Sequence, residues 1–240
     1  MGPTLSRRPV CTGSRGRLPP LCPAWLAALL LAIVPFLAGR ASAGSRLPAE
    51  PGPSTSRGAT PAVALQPLGD VDPALVRAVA DAVRQTFAVR DTVLAEKPLP
   101  QAAFYRARRR YRGEQVLRRL EAETPARFDK VLGLMSCDLS VTKGRVYDWG
   151  VMGVAGLAQR AGVVSVHRLR RRHAPPSLVA RRMRQVVVHE LGHTFGLPHC
   201  PSPHCIMNDA EGGIAAVDAS SGRFCGRCRR KLAGLLRDQH

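Results

Sequence analysis

The chain has 240 residues, 45% of them hydrophobic, which is enough to bury a core and excludes wholesale disorder or a collagen-like fold. It carries 36 lysines and arginines against 17 acidic residues, a formal net charge of +19. A charge of this size by itself favours anionic partners, such as nucleic acids or acidic surfaces.

Residues 1–43 have the features of a targeting segment. A leader with arginines and no acidic residue precedes the apolar residues 24–38, and Ala41-Ser42-Ala43 follows as a small-x-small cleavage sequence. The apolar stretch has about 15 residues, which suits a signal peptide and is short for a bilayer-spanning helix. The sequence predicts export, to the periplasm or out of the cell, after cleavage near Ala43. The alternative is an uncleaved membrane anchor, the chain's one expected contact with a membrane.

Residues 44–60 are rich in proline, glycine and serine and are predicted to form a flexible linker, so that the folded domain spans residues 61–240. Ala62–Leu68 is a short apolar run that predicts a strand. Asp72 and Pro73 then begin a helix, as N-cap and first-turn residues. Further strands are predicted at residues 89–94, 131–135, 149–157 and 162–169.

The last two of these strands are separated by a tight turn at residues 159–162, which predicts an antiparallel hairpin. Residues 101–123 are rich in arginine and are predicted to be helical towards their end. Ser177 is predicted to cap a long helix that runs to Phe195. The order of elements indicates a mixed α/β fold with one dominant helix near its end.

The end of that helix carries the sequence His-Glu-Leu-Gly-His at residues 189–193. Histidines four residues apart lie on one helical face, so both imidazoles can reach one metal ion. Glu190 lies about 100° round the helix, where its carboxylate can reach a water on the metal without binding the metal. Gly196 is expected to turn the chain with a positive φ and so to bring in a third histidine. The predicted ligands are His189, His193 and His199, and three imidazoles leave one tetrahedral position open, as in catalytic zinc sites.

A second set of candidate ligands begins one residue later, with the spacing C-x4-C, a 19-residue gap and C-x-x-C. Four thiolates in two close pairs fit a closed, structural zinc site. Two disulfides are the alternative, which export would permit. Met207 is expected to form an apolar floor beneath the histidines. The cysteines are Cys200, Cys205, Cys225 and Cys228.

Together these residues resemble the archaemetzincin family of zinc metallopeptidases. The family motif H-E-x-x-H-x-x-G-x3-C-x4-C-x-M-x17-C-x-x-C is matched at every position from 189 to 228. The resemblance implies a compact metzincin-like α/β domain with a twisted, mostly parallel sheet, an active-site helix and a C-terminal four-cysteine zinc subdomain. It also implies an antiparallel edge strand, here residues 150–158, above the active-site cleft, and Met207 as the Met-turn residue. The leader-like segment departs from most of the family.

The predicted reaction is peptide-bond hydrolysis by a zinc-activated water, with Glu190 as general base and two zinc ions per chain, one catalytic and one structural. The expected partner is a peptide or protein substrate that pairs with the edge strand, and the chain is expected to be a monomer. A second hypothesis is a zinc-stabilised binding module with weak or no proteolytic activity. Nucleic-acid binding through the arginine-rich residues 106–112 and 168–172 is not favoured, because such stretches are commonly solvated and few aromatic residues are interleaved here.

Overall fold

The computed structural model describes residues 60–171, 173–211 and 213–238. The predicted targeting segment, and the predicted linker apart from Thr60, lie outside these residues, so cleavage, export and membrane anchoring remain predictions from sequence. Within the described ranges, no helix is both long and apolar enough to span a bilayer.

Two sheets and five helices make up the described part of the chain. Its strands are β1 (Ala62–Leu68), β2 (Arg90–Val93), β3 (Phe104–Tyr105), β4 (Arg110–Arg112), β5 (Lys130–Met135), β6 (Leu139–Lys143), β7 (Val146–Val151), β8 (Gly153–Ala155) and β9 (Ala161–Ser165). Its helices are α1 (Pro73–Thr86), α2 (Gly113–Glu123), α3 (Pro176–Thr194), α4 (Ile214–Ala219) and α5 (Gly226–Asp238).

The main sheet has the strand order β2-β1-β5-β9-β8. Its first four strands are mutually parallel, and β8 pairs antiparallel with β9 at the edge. The second sheet has the order β3-β4-β6-β7, with β4 and β6 parallel and the outer pairs antiparallel. The fold is therefore mixed α/β with a mostly parallel main sheet and an antiparallel edge strand, as predicted.

Apolar residues on both faces of the main sheet are buried, because helices cover both faces. On one face Val63 and Leu65 of β1 belong to the hydrophobic cluster that also contains residues of α1 and α3. On the other face Ala62 and Ala64 of the same strand belong to the cluster that contains Val116 and Leu120 of α2. Helix α3 packs mainly against β9 and β8, on the side of the sheet that ends in the antiparallel edge strand.

The predicted strand at Ala62–Leu68 and the predicted start of the first helix, with Asp72 as its N-cap, are both confirmed. Asp72 accepts a hydrogen bond from the N–H of Ala74 at 2.8 Å, and Pro73 occupies the first position of α1. The N-terminus of α3 differs: Pro175 is its N-cap without a side-chain hydrogen bond, and Ser177 lies inside the first turn. Pro176 explains the earlier start, since proline has its φ preset for a helix and no N–H that needs a cap.

The predicted hairpin is present with different boundaries. The predicted strand 149–157 is divided at Met152: β7 before it belongs to the second sheet, and β8 after it belongs to the main sheet. Gln159 donates its N–H to the carbonyl of Gly156 at 3.1 Å, so the turn comes earlier than residues 159–162. One apolar run passes from one sheet to the other, a change that alternation of residue types does not reveal.

Helix α4 is attached to α3 by an ion pair whose arginine side chain is buried. The side chain of Arg182 is 2% exposed and donates to both carboxylate oxygens of Asp218, at 2.7 and 2.6 Å. It also donates to the carbonyl of Leu169 at 2.8 Å. Because the two parallel hydrogen bonds of an arginine–carboxylate pair fix its geometry, the pair holds α4 beside α3.

Candidate active site

The structure brings the three predicted histidine ligands together. Helix α3 presents His189 and His193 one turn apart, and the chain reverses at Gly196, whose φ of +99° is the positive value expected from the sequence. This turn returns His199 to the same point, so that one ligand nitrogen from each ring lies within 4.8 Å of the others. The Nε2 atoms of His189 and His193 are 3.0 Å apart.

Backbone carbonyls set the tautomers of the two helical histidines. Nδ1 of His189 lies 2.7 Å from the carbonyl oxygen of Ile206, and Nδ1 of His193 lies 2.7 Å from that of Leu197. A carbonyl oxygen can only accept, so each Nδ1 carries the proton and each Nε2 presents a lone pair. Burial lowers the pKa of His189 to about 4 and also lowers that of His193, which keeps both rings neutral at pH 7.

This donor set fits zinc. Two lone pairs that face each other repel unless a cation lies between them. In a tetrahedral site with Zn–N distances near 2.0–2.1 Å, two ligand nitrogens are about 3.3 Å apart, close to the 3.0 Å between these Nε2 atoms. A backbone acceptor on the other ring nitrogen is also the usual outer contact of a zinc-binding histidine.

Asp209 faces the third histidine. Its Oδ2 atom lies 3.4 Å from Nδ1 of His199, and both side chains are about half exposed. Burial by itself would raise the pKa of Asp209, but the N–H of Glu211 and the nearby His199 and Lys143 lower it overall. A carboxylate that faces the second ring nitrogen is the usual outer contact that orients a zinc-binding histidine. The sequence analysis missed Asp209, which belongs to no recognised spacing.

Glu190 is buried between the active-site helix and the edge strand. It is 7% exposed, and burial raises the pKa of its carboxyl to about 8. A Cβ atom on Gly153 of β8 would lie 2.7 Å from both Cγ and Oε1 of Glu190, so the strand packs directly on the carboxyl group. Gly153 was also missed, although a glycine inside an apolar strand is a known sign of close backbone approach.

Met207 lies under the helix, as expected for an apolar floor. It is fully buried, and its sulfur contacts the helix at Gly192, between the two helical histidines. Its carbonyl oxygen accepts the N–H of Cys200 at 2.8 Å. The segment that carries the third histidine is thereby tied to the floor of the site.

The four cysteines form a separate cluster with their sulfur atoms within 4.8 Å of one another. Sγ of Cys200 lies 3.9 Å from Sγ of Cys225, and Sγ of Cys205 lies 3.9 Å from Sγ of Cys228. All four are free cysteines, so the predicted disulfide alternative is not what the structure contains. Two thiolates on one tetrahedral zinc are about 3.8 Å apart at a Zn–S distance of 2.3 Å, so this set also fits zinc. Burial raises the pKa of the Cys205 and Cys228 thiols, whereas the N–H of Cys228 lowers the pKa of Cys225 to about 7.

A cleft of about 560 Å³ opens at the histidines. It runs between β8, the edge strand of the main sheet, and the helix α3, and α4 forms part of its wall. The edge strand predicted at residues 150–158 is therefore present but shorter, at Gly153–Ala155. The arrangement combines a metal-binding site, a buried carboxyl group and a free strand edge in one open cleft.

Comparisons with known proteins agree with this arrangement. Residues 94–234 match Peptidase family M54. The archaemetzincin of Haloquadratum walsbyi is 33% identical over 180 residues, which cover 71% of this chain and 98% of that protein. The archaemetzincin of Methanopyrus kandleri is 38% identical over 142 residues, which cover 58% of this chain and 75% of that protein.

Two solved structures have the same fold. The crystal structure of the Methanopyrus kandleri archaemetzincin superposes with a TM-score of 0.65 at 32% identity and covers 76% of this chain and 99% of that one. The Archaeoglobus fulgidus archaemetzincin, complexed with malonate, gives a TM-score of 0.61 at 29% identity and covers 71% of this chain and 99% of that one. The chain therefore belongs to the archaemetzincins, peptidase family M54, and is a zinc metallopeptidase.

Proposed function

We propose that this chain hydrolyses peptide bonds at a zinc ion held by His189, His193 and His199, with Glu190 as general base. We further propose that the four-cysteine cluster holds a second, structural zinc ion. The observation that carries the proposal is the convergence of neutral imidazole nitrogens beside a buried carboxyl group in an open cleft.

The reaction divides between the metal and the protein. Zinc, when bound, supplies Lewis acidity that polarises the scissile carbonyl and makes the attacking water more acidic. The Glu190 carboxylate accepts a proton from that water and returns it to the nitrogen of the leaving amine. Burial raises the pKa of this carboxyl group, which makes its carboxylate a stronger base for the first of these transfers.

The free edge of β8 is the proposed binding site for the substrate backbone. An extended peptide can add to such an edge through main-chain hydrogen bonds, while its side chains enter the cleft. Because Gly153 lies directly above Glu190, a peptide on this edge would have its backbone next to the general base. This placement would bring the attacked carbonyl to the histidines without a large movement of the protein.

The proposal is tested by metal analysis and by removal of the base. We expect the purified full chain to contain two zinc ions and to cleave members of a library of internally quenched peptides. Glu190→Gln should keep both ions and lose at least about 10²- to 10⁴-fold in rate, the usual contribution of a general base.

Glu96→Gln is the matched control, because Glu96 is exposed and does not line the cleft. Undiminished turnover in Glu190→Gln would remove this residue from the mechanism. A wild-type protein that holds two zinc ions but cleaves no peptide would instead favour the second hypothesis, a zinc-stabilised binding module.

A further inference from the structure

One end of the cleft lies between helices α3 and α4. Gln185 is on α3, four residues before His189, so the two side chains lie on the same helical face. The neighbouring lining residues Val186 and Val217 are apolar and buried. This end of the cleft is thus a mainly apolar recess one helical turn from the predicted metal site.

Gln185 has an unmet hydrogen-bonding requirement in that recess. The residue is 8% exposed, and its Nε2 atom donates to the carbonyl oxygen of Ser220 at 3.1 Å. This bond fixes which end of the amide is the oxygen. Oε1 is shielded from water and has no hydrogen-bond partner among the described residues. Buried acceptors without a partner are uncommon in folded proteins because each one lowers stability.

We propose that this recess is a subsite for a substrate side chain with a hydrogen-bond donor at the end of an apolar stem. Gln185 is then the specificity-determining residue, and its Oε1 atom accepts the donor. The inference rests on the peptidase function proposed above. The stem packs against Val186 and Val217, and a tyrosine or glutamine side chain has the required form.

The terminal torsion of a glutamine is broad, so a small rotation can present Oε1 to the substrate while Nε2 stays near Ser220. A substrate without a donor leaves the acceptor unpaired, as it is in the free protein, whereas a donor at the end of the stem gains the hydrogen bond. Sites that require a hydrogen bond reject such analogues more strongly than apolar pockets reject a missing methylene group.

The test uses pairs of quenched peptides that differ only in Tyr against Phe, or Gln against Met, at either residue that flanks the scissile bond. At one of these positions we expect the wild-type protein to prefer Tyr over Phe by roughly 10- to 100-fold in kcat/KM, the value of one satisfied buried acceptor. Gln185→Leu should reduce this ratio to about 1 and still cleave the Phe peptide.

Gln159→Leu makes the same chemical change at an exposed position outside the cleft and should leave the ratio unchanged. Equal turnover of Tyr and Phe peptides by the wild-type protein overturns the proposal. A Gln185→Leu variant that loses activity equally on both peptides also overturns it, because Gln185 would then only support the wall through Ser220.

A binding measurement separates this proposal from the proposed hydrolysis. The zinc-loaded Glu190→Gln protein should bind the Tyr peptide more tightly than the Phe peptide, and Gln185→Leu in the same background should abolish the difference. If no peptide is cleaved by the wild-type protein but this binding preference is found, the subsite stands and the hydrolysis proposal fails. Equal binding, or no binding of either peptide, overturns the subsite.

Discussion

Met207 packs directly against Gly192: a Cβ atom on the glycine would lie only 2.7 Å from the sulfur of the methionine. The contact lies between the two histidines of α3 and joins the helix to the floor of the site. Since both residues are buried, neither can move away into solvent.

We expect Gly192→Ala to destabilise the protein. Alanine favours a helix over glycine by about 1 kcal/mol, but overpacking a buried contact costs about 1–3 kcal/mol. The free energy of unfolding, measured with urea, should therefore fall by up to about 2 kcal/mol. Combining it with Met207→Ala should give a favourable coupling energy, since the shorter side chain removes the clash.

Gly234→Ala on α5 is the control for this prediction. Its Cβ would meet only a guanidinium nitrogen of Arg237 at 4.0 Å, so the helical preference of alanine should act alone and stabilise the protein by about 1 kcal/mol. If Gly192→Ala were as stabilising as Gly234→Ala, the contact with Met207 would not constrain the helix.

We expect Gly153→Ala to impair hydrolysis without loss of zinc. The new methyl group would lie 2.7 Å from Cγ and Oε1 of Glu190, so the carboxyl group or the edge strand must shift. A displacement of about 1 Å at a general base can reduce the rate about 100-fold. Peptidase assays and metal analysis on the same sample check this prediction, and a fully active variant would contradict it.

We expect Asp209→Asn to weaken binding of one zinc ion. The change removes the charge that faces Nδ1 of His199 and leaves the side-chain shape intact. Loss of such an outer contact typically lowers metal affinity about 10- to 100-fold. Because Asp209 and His199 are both about half exposed, we expect an effect near the lower end of that range. Competition with a zinc chelator measures the effect. An affinity equal to that of the wild-type protein would show that the carboxylate does not orient the ring.

We expect Cys228→Ser to reduce the zinc content from two ions to one and to lower stability. Structural zinc contributes folding free energy directly, so the loss should be at least about 3 kcal/mol, or about 10 °C in Tm for a domain of this size. Activity should also fall, because Cys200 is adjacent to the third histidine. Retention of both zinc ions in this variant would exclude the cysteine cluster as a metal site.

The predictable parts of the site depend on short-range spacing. Histidines four residues apart must share a helical face, and Gly196 supplies a positive φ that few other residues adopt. The same local rules identified the first strand and the Asp72 cap. For these elements, neighbours along the chain determine the conformation.

The missed parts depend on contacts between distant segments. Residues 149–157 form one apolar run, but Met152 divides it between two sheets, and only the pairing partners determine this. Asp209 meets His199 because the loop returns to the site, and Gly153 meets Glu190 across two elements. The Arg182–Asp218 pair likewise joins residues 36 positions apart.

The direct succession of His199 and Cys200 has a consequence for the order in which the protein matures. During synthesis all three histidines leave the ribosome before Cys225 and Cys228, whose sulfur atoms complete the cluster around Cys200. Until those two residues emerge, Cys200, which directly follows the third histidine, has only Cys205 of its three partners in the cluster. The nascent chain therefore carries its complete histidine motif before all four cysteines are available to hold the segment that ends in His199.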